Sequence, residues 1–475
     1  SGARGGGAGT GGTPDGGTSG SGGTAGRGGT AGQGGSGGTG SPDGSAGSGG
    51  RDGGVDGASG RGGSGGATDG SSGKGGTGGA SGSSGTGGSS GASGRDGGAG
   101  SGGTGGSLDA GIGDGGGAYP CNAGTAGYDV VVTNAGGTWT AVRGTTNVYT
   151  GTDMAAAMQA AINSLTSGRT SKQRVLVQGS GTIPNNKRVS VTSYTVLNVC
   201  GVIDVTSAGG TGDMAPIYSR GTTDVEIPNV AITGAPLYGM FFRDVENLTL
   251  GNVDMRLTGG LGIRVDNHGR SDRSMKVQNF RLDNAYIEGA SSQGVETYGV
   301  DKITIGTVKS KGVGECGLLL NDSTNAEVGL VDAEDTATGN GYAAFRTANR
   351  NGRINDAYPT NIHVGQVIAR RGGRGIFCVS ESGGLVIDRI DIADTGNNSI
   401  LLENCYNVNI AAVSGSVVGG GEVRIAARTE FANSRDITLQ NLTVNNTNIT
   451  ENPCADNSTF ANNTLLGSAK TSVCP

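Results

Sequence analysis

Residues 294–306 read "GVETYGVDKITIG". The first half alternates: Val295 and Thr297 are small and β-branched, while Glu296 and Tyr298 are large and polar. Such alternation marks a short strand whose successive side chains leave opposite faces. The surrounding sequence repeats it. "GMFFRD" from Gly239, "GIRVDN" from Gly262, "GLLLND" from Gly317, "YAAFRT" from Tyr342, "GIFCVS" from Gly375, "SILLEN" from Ser399 and "EVRIAA" from Glu422 fall in one column with "GVETYG". A second strand follows each at a regular distance, as in "NLTLGNVDM", "KITIGTVKS", "NAEVGLVDA" and "NIHVGQVIA". The period is about 23–25 residues, with two longer units.

The column's inward set (Met240/Phe242, Ile263/Val265, Val295/Thr297, Leu318/Leu320, Ala343/Phe345, Ile376/Cys378, Ile400/Leu402, Val423/Ile425) is almost wholly apolar. Its outward set includes Arg264/Asp266, Glu296/Tyr298, Leu319/Asn321, Ala344/Arg346, Phe377/Val379 and Leu401/Glu403, and is rich in charge. One turn of two or three short strands cannot bury its own apolar face, whereas stacked turns can. The pattern therefore predicts an all-β solenoid, a single-stranded parallel β-helix. Leucine-rich repeats need fixed leucines and an asparagine that are absent, and a propeller blade needs about 40 residues.

Composition divides the chain. It has 475 residues, 101 of them glycine, concentrated in residues 1–117, as in "GGTGGASGSSGTGGSSG". That segment holds too little apolar surface to offset chain entropy and is expected to be a disordered tether. Residues 118–475 are long enough for one substantial core. A net charge of −6 argues against wholesale nucleic-acid binding, and no apolar run approaches the roughly 20 residues of a membrane helix.

Seven cysteines without a CxxC, and only His268 and His363, make a structural zinc site a poor fit. Cys121, at the start of the domain, and Cys454 with Cys474, bracketing a tail of about 452–475, read as staples at chain ends. The odd count leaves at least one free thiol. Staples and tether together predict a secreted or cell-surface protein. At the domain entrance, "GTDMAAAMQAAINSL" (151–165) predicts a capping helix over about 152–165. Thr152 would be its N-cap, and Met154, Met158, Ile162 and Leu165 would share one face.

The alanine-rich helix entering "VLVQGSGTI" and followed by coils of about 23 residues resembles the pectin-lyase-like superfamily of right-handed β-helices. The resemblance covers essentially all of 118–475. It implies a right-handed coil and polysaccharide chemistry, mostly hydrolysis or β-elimination, although adhesins and structural proteins share the fold. The superfamily's polygalacturonase set (NTD, GHG, RIK) is absent here. So is the cluster of acids with which its lyases hold calcium, and no cofactor or metal is indicated.

Two coils exceed the period: Ile263 to Val295 spans 32 residues and Ala343 to Ile376 spans 33. The excess falls after the column strand, in "NHGRSDRS" and "ANRNGRINDAYP". Long loops on a rigid scaffold favour binding and catalysis. They are expected to wall a groove floored by Glu296 and Tyr298. Coils lie about 4.8 Å apart and alternate residues about 6.6 Å apart, which makes Arg264 the neighbour of Glu296 and Asp266 the neighbour of Tyr298. Asp266 and Glu296 then sit diagonally at roughly 8 Å, compatible with the carboxyl separations of glycosidases.

The expected catalytic set is Asp266, Glu296, Tyr298 and His268. The expected substrate contacts are Arg264, Arg243, Arg270, Asn321, Arg346, Arg350, Phe377 and Glu403. The plainer alternative for either acid is a cross-strand ion pair with Arg243 or Arg264. His363, on the second column, reads as structural. A glycoside hydrolase on an acidic polysaccharide is the favoured function. A uronate lyase using Tyr298, His268 and arginines comes second, and a glycan-binding adhesin third. The protein is expected to act as a monomer.

Overall fold

A computed structural model describes Cys121, residues 123–338 and residues 341–475. The segment expected to be a tether lies outside the described residues. The fold is a right-handed parallel β-helix built almost wholly of strand, with one α-helix among the described residues.

The register of the first column follows the repeat. Ile217, Met240, Ile263, Val295 and Leu318 stack in parallel, then Phe345, Ile376, Ile400, Val423 and Ile449. The second column stacks Leu250, Leu282, Ile305, Val328, Val364, Ile387, Ile410 and Leu439. These residues are fully or almost fully buried and form one continuous core inside the coil. Each buried side chain removes apolar surface from water only because the coils above and below cover it.

One coil departs from the sequence alignment. Phe345, not Ala343, pairs with Leu318, so Arg346 stands opposite Leu319 and Ala348 opposite Asn321. The shift is two residues. It puts the bulky Phe345 ring between Leu318 and Ile376, where an alanine would leave a void.

Two features at the entrance differ from expectation. Val130–Ala135, Thr138–Arg143 and Thr146–Gly151 form an antiparallel meander that the repeat analysis missed. Its first turn uses Gly136 and Gly137 at φ 58° and 86°, the left-handed conformation a tight hairpin demands. The meander's first strand pairs in parallel with Gln173–Gln178 and so joins the solenoid. The helix runs over Met154–Asn163, with Asp153 rather than Thr152 as its N-cap: the Asp153 carboxylate accepts from the Ala156 N–H at 3.1 Å. Met154, Ala157, Met158, Ala161 and Ile162 form its buried face.

Three disulfides are present: Cys121–Cys200, Cys378–Cys405 and Cys454–Cys474. The second lies within the core, and Cys316 is a buried free thiol. Among the described residues no helix is long and apolar enough to cross a membrane.

Candidate active site

Arg264 organises the outward face where the two acids meet. Its Nε donates to Asp266 Oδ2 at 2.8 Å and its Nη1 to Glu296 Oε2 at 2.9 Å. Arg243, one coil earlier, grips Asp266 from the other side at 2.8 and 3.1 Å. Glu296 Oε1 accepts from the Asn321 amide at 2.9 Å, and Asn321 Oδ1 accepts from Asn349 at 3.0 Å. The result is a continuous polar chain across successive coils. It is also buried: Asp266 is 0% and Glu296 6% exposed.

The two carboxyls are tuned in opposite directions. Burial alone would raise both. At Asp266 the Arg243 hydrogen bonds and the charges of Arg264 and Arg243 outweigh it and hold the carboxyl below its ordinary range. At Glu296 burial wins over Arg264, and the carboxyl is pushed up. Both acids thus adopt the cross-strand ion-pair geometry, in a desolvated form.

Beside this chain opens a cleft of about 610 Å³. Its walls come from the two long loops, through Arg273 and Lys276 on one side and Arg350 and Arg353 on the other, and Tyr298 and Asp322 line its floor. Buried Asn267 shapes the first loop by donating to the carbonyls of Arg273 and Met275 at 2.8 and 3.1 Å. The side chain of Asn267 also crowds the position after Tyr298. A Cβ at Gly299, which sits at φ 63°, would meet it at 2.4 Å. In the second loop, buried Asn351 accepts from the Ser323 N–H at 3.0 Å, and Asn361 donates to the Gly352 carbonyl at 2.7 Å. Arg350, Ser380 and Glu381, all cleft residues, hold positive φ of 57–63°. Side chains other than Asn, Asp and Gly rarely adopt that conformation, and such strain concentrates at functional sites.

Of the four expected catalytic residues, only Tyr298 lines the cleft. His268 lies edge-on to it, ring centroids 4.3 Å apart, with its backbone N–H on Asp266 Oδ1 at 3.1 Å. Burial lowers the His268 pKa, keeping the imidazole neutral at neutral pH, and its buried Nε2 has no hydrogen-bond partner among the described residues. Burial raises the Tyr298 phenol, reinforced by Asp322 and opposed by Arg273. Arg273 is exposed and forms no ion pair among the described residues, whereas Lys276 pairs with Asp322 and Arg350 with Glu381.

The expected substrate contacts separate. Arg350 lines the cleft. Arg243, Arg264 and Asn321 belong to the buried chain, and Arg270 is tied to Asp244 and Glu246. Phe377 is buried between the guanidiniums of Arg346 and Arg374, at 5.1 and 4.8 Å from its ring centroid, and offers no open stacking platform. Glu403 pairs with Arg428 at 2.8 Å. His363 bridges Glu327 and Asp388 at 2.8 and 3.0 Å on the second column.

Sequence reasoning passed over Arg273, Lys276, Arg353, Asp322 and Phe431. The first and third lie inside the two loops it singled out, whereas Phe431 comes from a third loop of ordinary length. No group of three or more His, Cys, Asp or Glu residues is placed to hold a metal ion among the described residues.

No family model matches the chain, and no curated protein matches it. Among solved structures, the A-modules of the Azotobacter vinelandii mannuronan C-5 epimerases AlgE6 and AlgE4 are similar. Identities are 12% and 14% and TM-scores 0.24 and 0.28, over 68% and 67% of this chain and 96% and 95% of those chains. At these values the likeness carries no argument about activity or substrate.

Proposed function

We propose that the protein is an exported enzyme that cleaves an acidic polysaccharide by β-elimination in the cleft above Tyr298. One observation carries the reading: the only expected catalytic side chain that lines the cleft is a phenol, set beside a cation, Arg273, with no ion pair among the described residues. An exposed guanidinium suits the planar carboxylate of a uronate, and its charge would stabilise the enolate-like transition state. The reaction removes the C5 proton, breaks the C4–O bond, forms the C4–C5 double bond and returns a proton to the leaving oxygen. Tyr298 is assigned the proton transfers. Its phenol, kept protonated by burial, first gives its proton to His268. It then takes the C5 proton and passes it to the leaving oxygen, and His268 returns the first proton to the phenolate. Neutral His268 is the group beside it able to take up or return a proton. The three disulfides support an oxidising compartment.

The full chain, incubated with neutral and acidic polysaccharides, tests this. Ultraviolet absorbance from the new double bond should rise together with reducing ends, and Tyr298→Phe should abolish both. Reducing ends without absorbance would overturn elimination. Deuterium entering C5 in heavy water without cleavage would mean that the proton is exchanged but the C4–O bond survives.

A second reading has its own support. Glu296 is pushed up and Asp266 held down, the divergence expected of a hydrolase's acid and its charged partner. Reducing ends alone, lost in Glu296→Gln, would establish it. Glycan retention with no product would favour a binding protein.

A further inference from the structure

A second cleft, of about 270 Å³, is lined by three cations, Lys172, Arg281 and Lys302, by Asn247 and Asn279, and by one carboxylate, Asp224. Lys276 and Tyr298 line the first cleft, and Asn279 and Lys302, three and four residues further along the same two coils, line the second. Four residues of extended chain span at most about 14 Å. The two clefts therefore lie within a few sugar units of each other.

The backbone marks Lys302. Asp224, Asn247, Asn279, Lys302 and Asn325 occupy equivalent turn positions on successive coils, with φ between 50° and 65°. Asp and Asn tolerate this conformation and use it to build a ladder. Asn247 donates to Asp224 at 3.3 Å and Asn279 to Asn247 Oδ1 at 2.7 Å. Lysine bears the left-handed strain and cannot accept the next amide, and Asn325 donates instead to Asp301 Oδ1 at 2.7 Å. An asparagine there would relieve the strain. The Lys302 ammonium is exposed and makes no hydrogen bond or ion pair among the described residues. Flanking it, Lys172 and Arg281 are exposed but paired, with Glu226 at 2.8 Å and Asp283 at 2.7 Å, which leaves Lys302 the cleft's cation without an ion pair among the described residues.

We infer that this cleft is a second binding site for carboxylates of the same acidic polysaccharide, with Lys302 as its anchoring cation and Arg281 and Lys172 alongside. It engages chains too long for the first cleft alone and adds affinity by linking two weak sites. The inference rests on the acidic-glycan reading of the first cleft.

The test uses the full chain carrying Tyr298→Phe, so that polymer is not consumed. Calorimetry at low salt measures binding of polygalacturonate and alginate, each as polymer and as short oligomers. Lys302→Asn with Arg281→Gln should weaken binding of a bound polymer about tenfold, leave the affinity for its short oligomers unchanged, and raise the melting temperature by relieving the left-handed strain at position 302. Unchanged polymer affinity with higher melting temperature would overturn the second site and leave the first intact. Equal losses for polymer and oligomer would also overturn it, because the two clefts would then not be separate. If the Tyr298→Phe chain binds neither polymer, the acidic-glycan reading itself fails and takes the second site with it.

Discussion

Replacing Arg264 with methionine probes the buried chain most directly. Methionine keeps much of the side-chain volume but removes both charge-assisted contacts, at 2.8 Å to Asp266 and 2.9 Å to Glu296. Removing one partner of a buried ion pair costs about 3–5 kcal/mol, because the other charge is left desolvated and unmatched. Asp266 keeps both Arg243 contacts, and Glu296 keeps Asn321 and can take up a proton. The loss should therefore lie at the low end, about 3 kcal/mol at neutral pH.

The sign of the pH dependence follows from Glu296. Its folded pKa is already raised by burial and rises further without Arg264. A raised carboxyl favours the fold below its unfolded pKa, and that benefit is lost as pH rises through the folded value. The penalty of Arg264→Met should shrink toward acid pH. Adding Glu296→Gln, which leaves no uncompensated charge at that position, should recover most of it. Urea unfolding of the single and double variants across pH measures this. A loss below about 1 kcal/mol at neutral pH, or one that grows toward acid, would refute the view that Arg264 compensates two desolvated acids.

Phe377→Ala should cost about 3–5 kcal/mol, since the ring is buried between Arg346 and Arg374; chemical denaturation would register it. Cys316, fully buried with its thiol pushed up to about 11, should resist alkylation in the folded protein. Unfolding without reductant should expose one reactive thiol, counted by mass spectrometry. His363 is raised by its hydrogen bonds to Glu327 and Asp388. It therefore adds stability below its unfolded pKa that is lost as pH rises through the folded value. With 41% of the side chain exposed, His363→Gln should cost under about 1 kcal/mol even in acid, and a proton NMR titration should place the imidazole above about 6.5.

The β-helix was legible because the inward set is written in a strict column, and a one-residue slip would turn every core side chain outward. Spacing alone also put Arg264 beside Glu296 and Asp266 beside Tyr298, as the register has them. The two long loops were visible as departures from the period. The entrance meander, by contrast, carried a readable signal, Gly136–Gly137 between alternating runs, that a search for 23-residue repeats passes over.

What the sequence could not supply was depth. Strand alternation assigns a side chain to the outer face but does not say whether neighbouring side chains roof it over. Glu296 and Asp266 point outward in register yet lie desolvated among arginines, while Tyr298 on the same strand reaches the cleft. The two-residue shift at Phe345 was hidden for a related reason: alternation has period two, so moving by two preserves the pattern, and only the volume of the ring against Leu318 and Ile376 decides. Face and repeat are local properties of the chain. Exposure, proton affinity and the final register depend on atoms contributed by other coils, and those meet only in the folded solenoid.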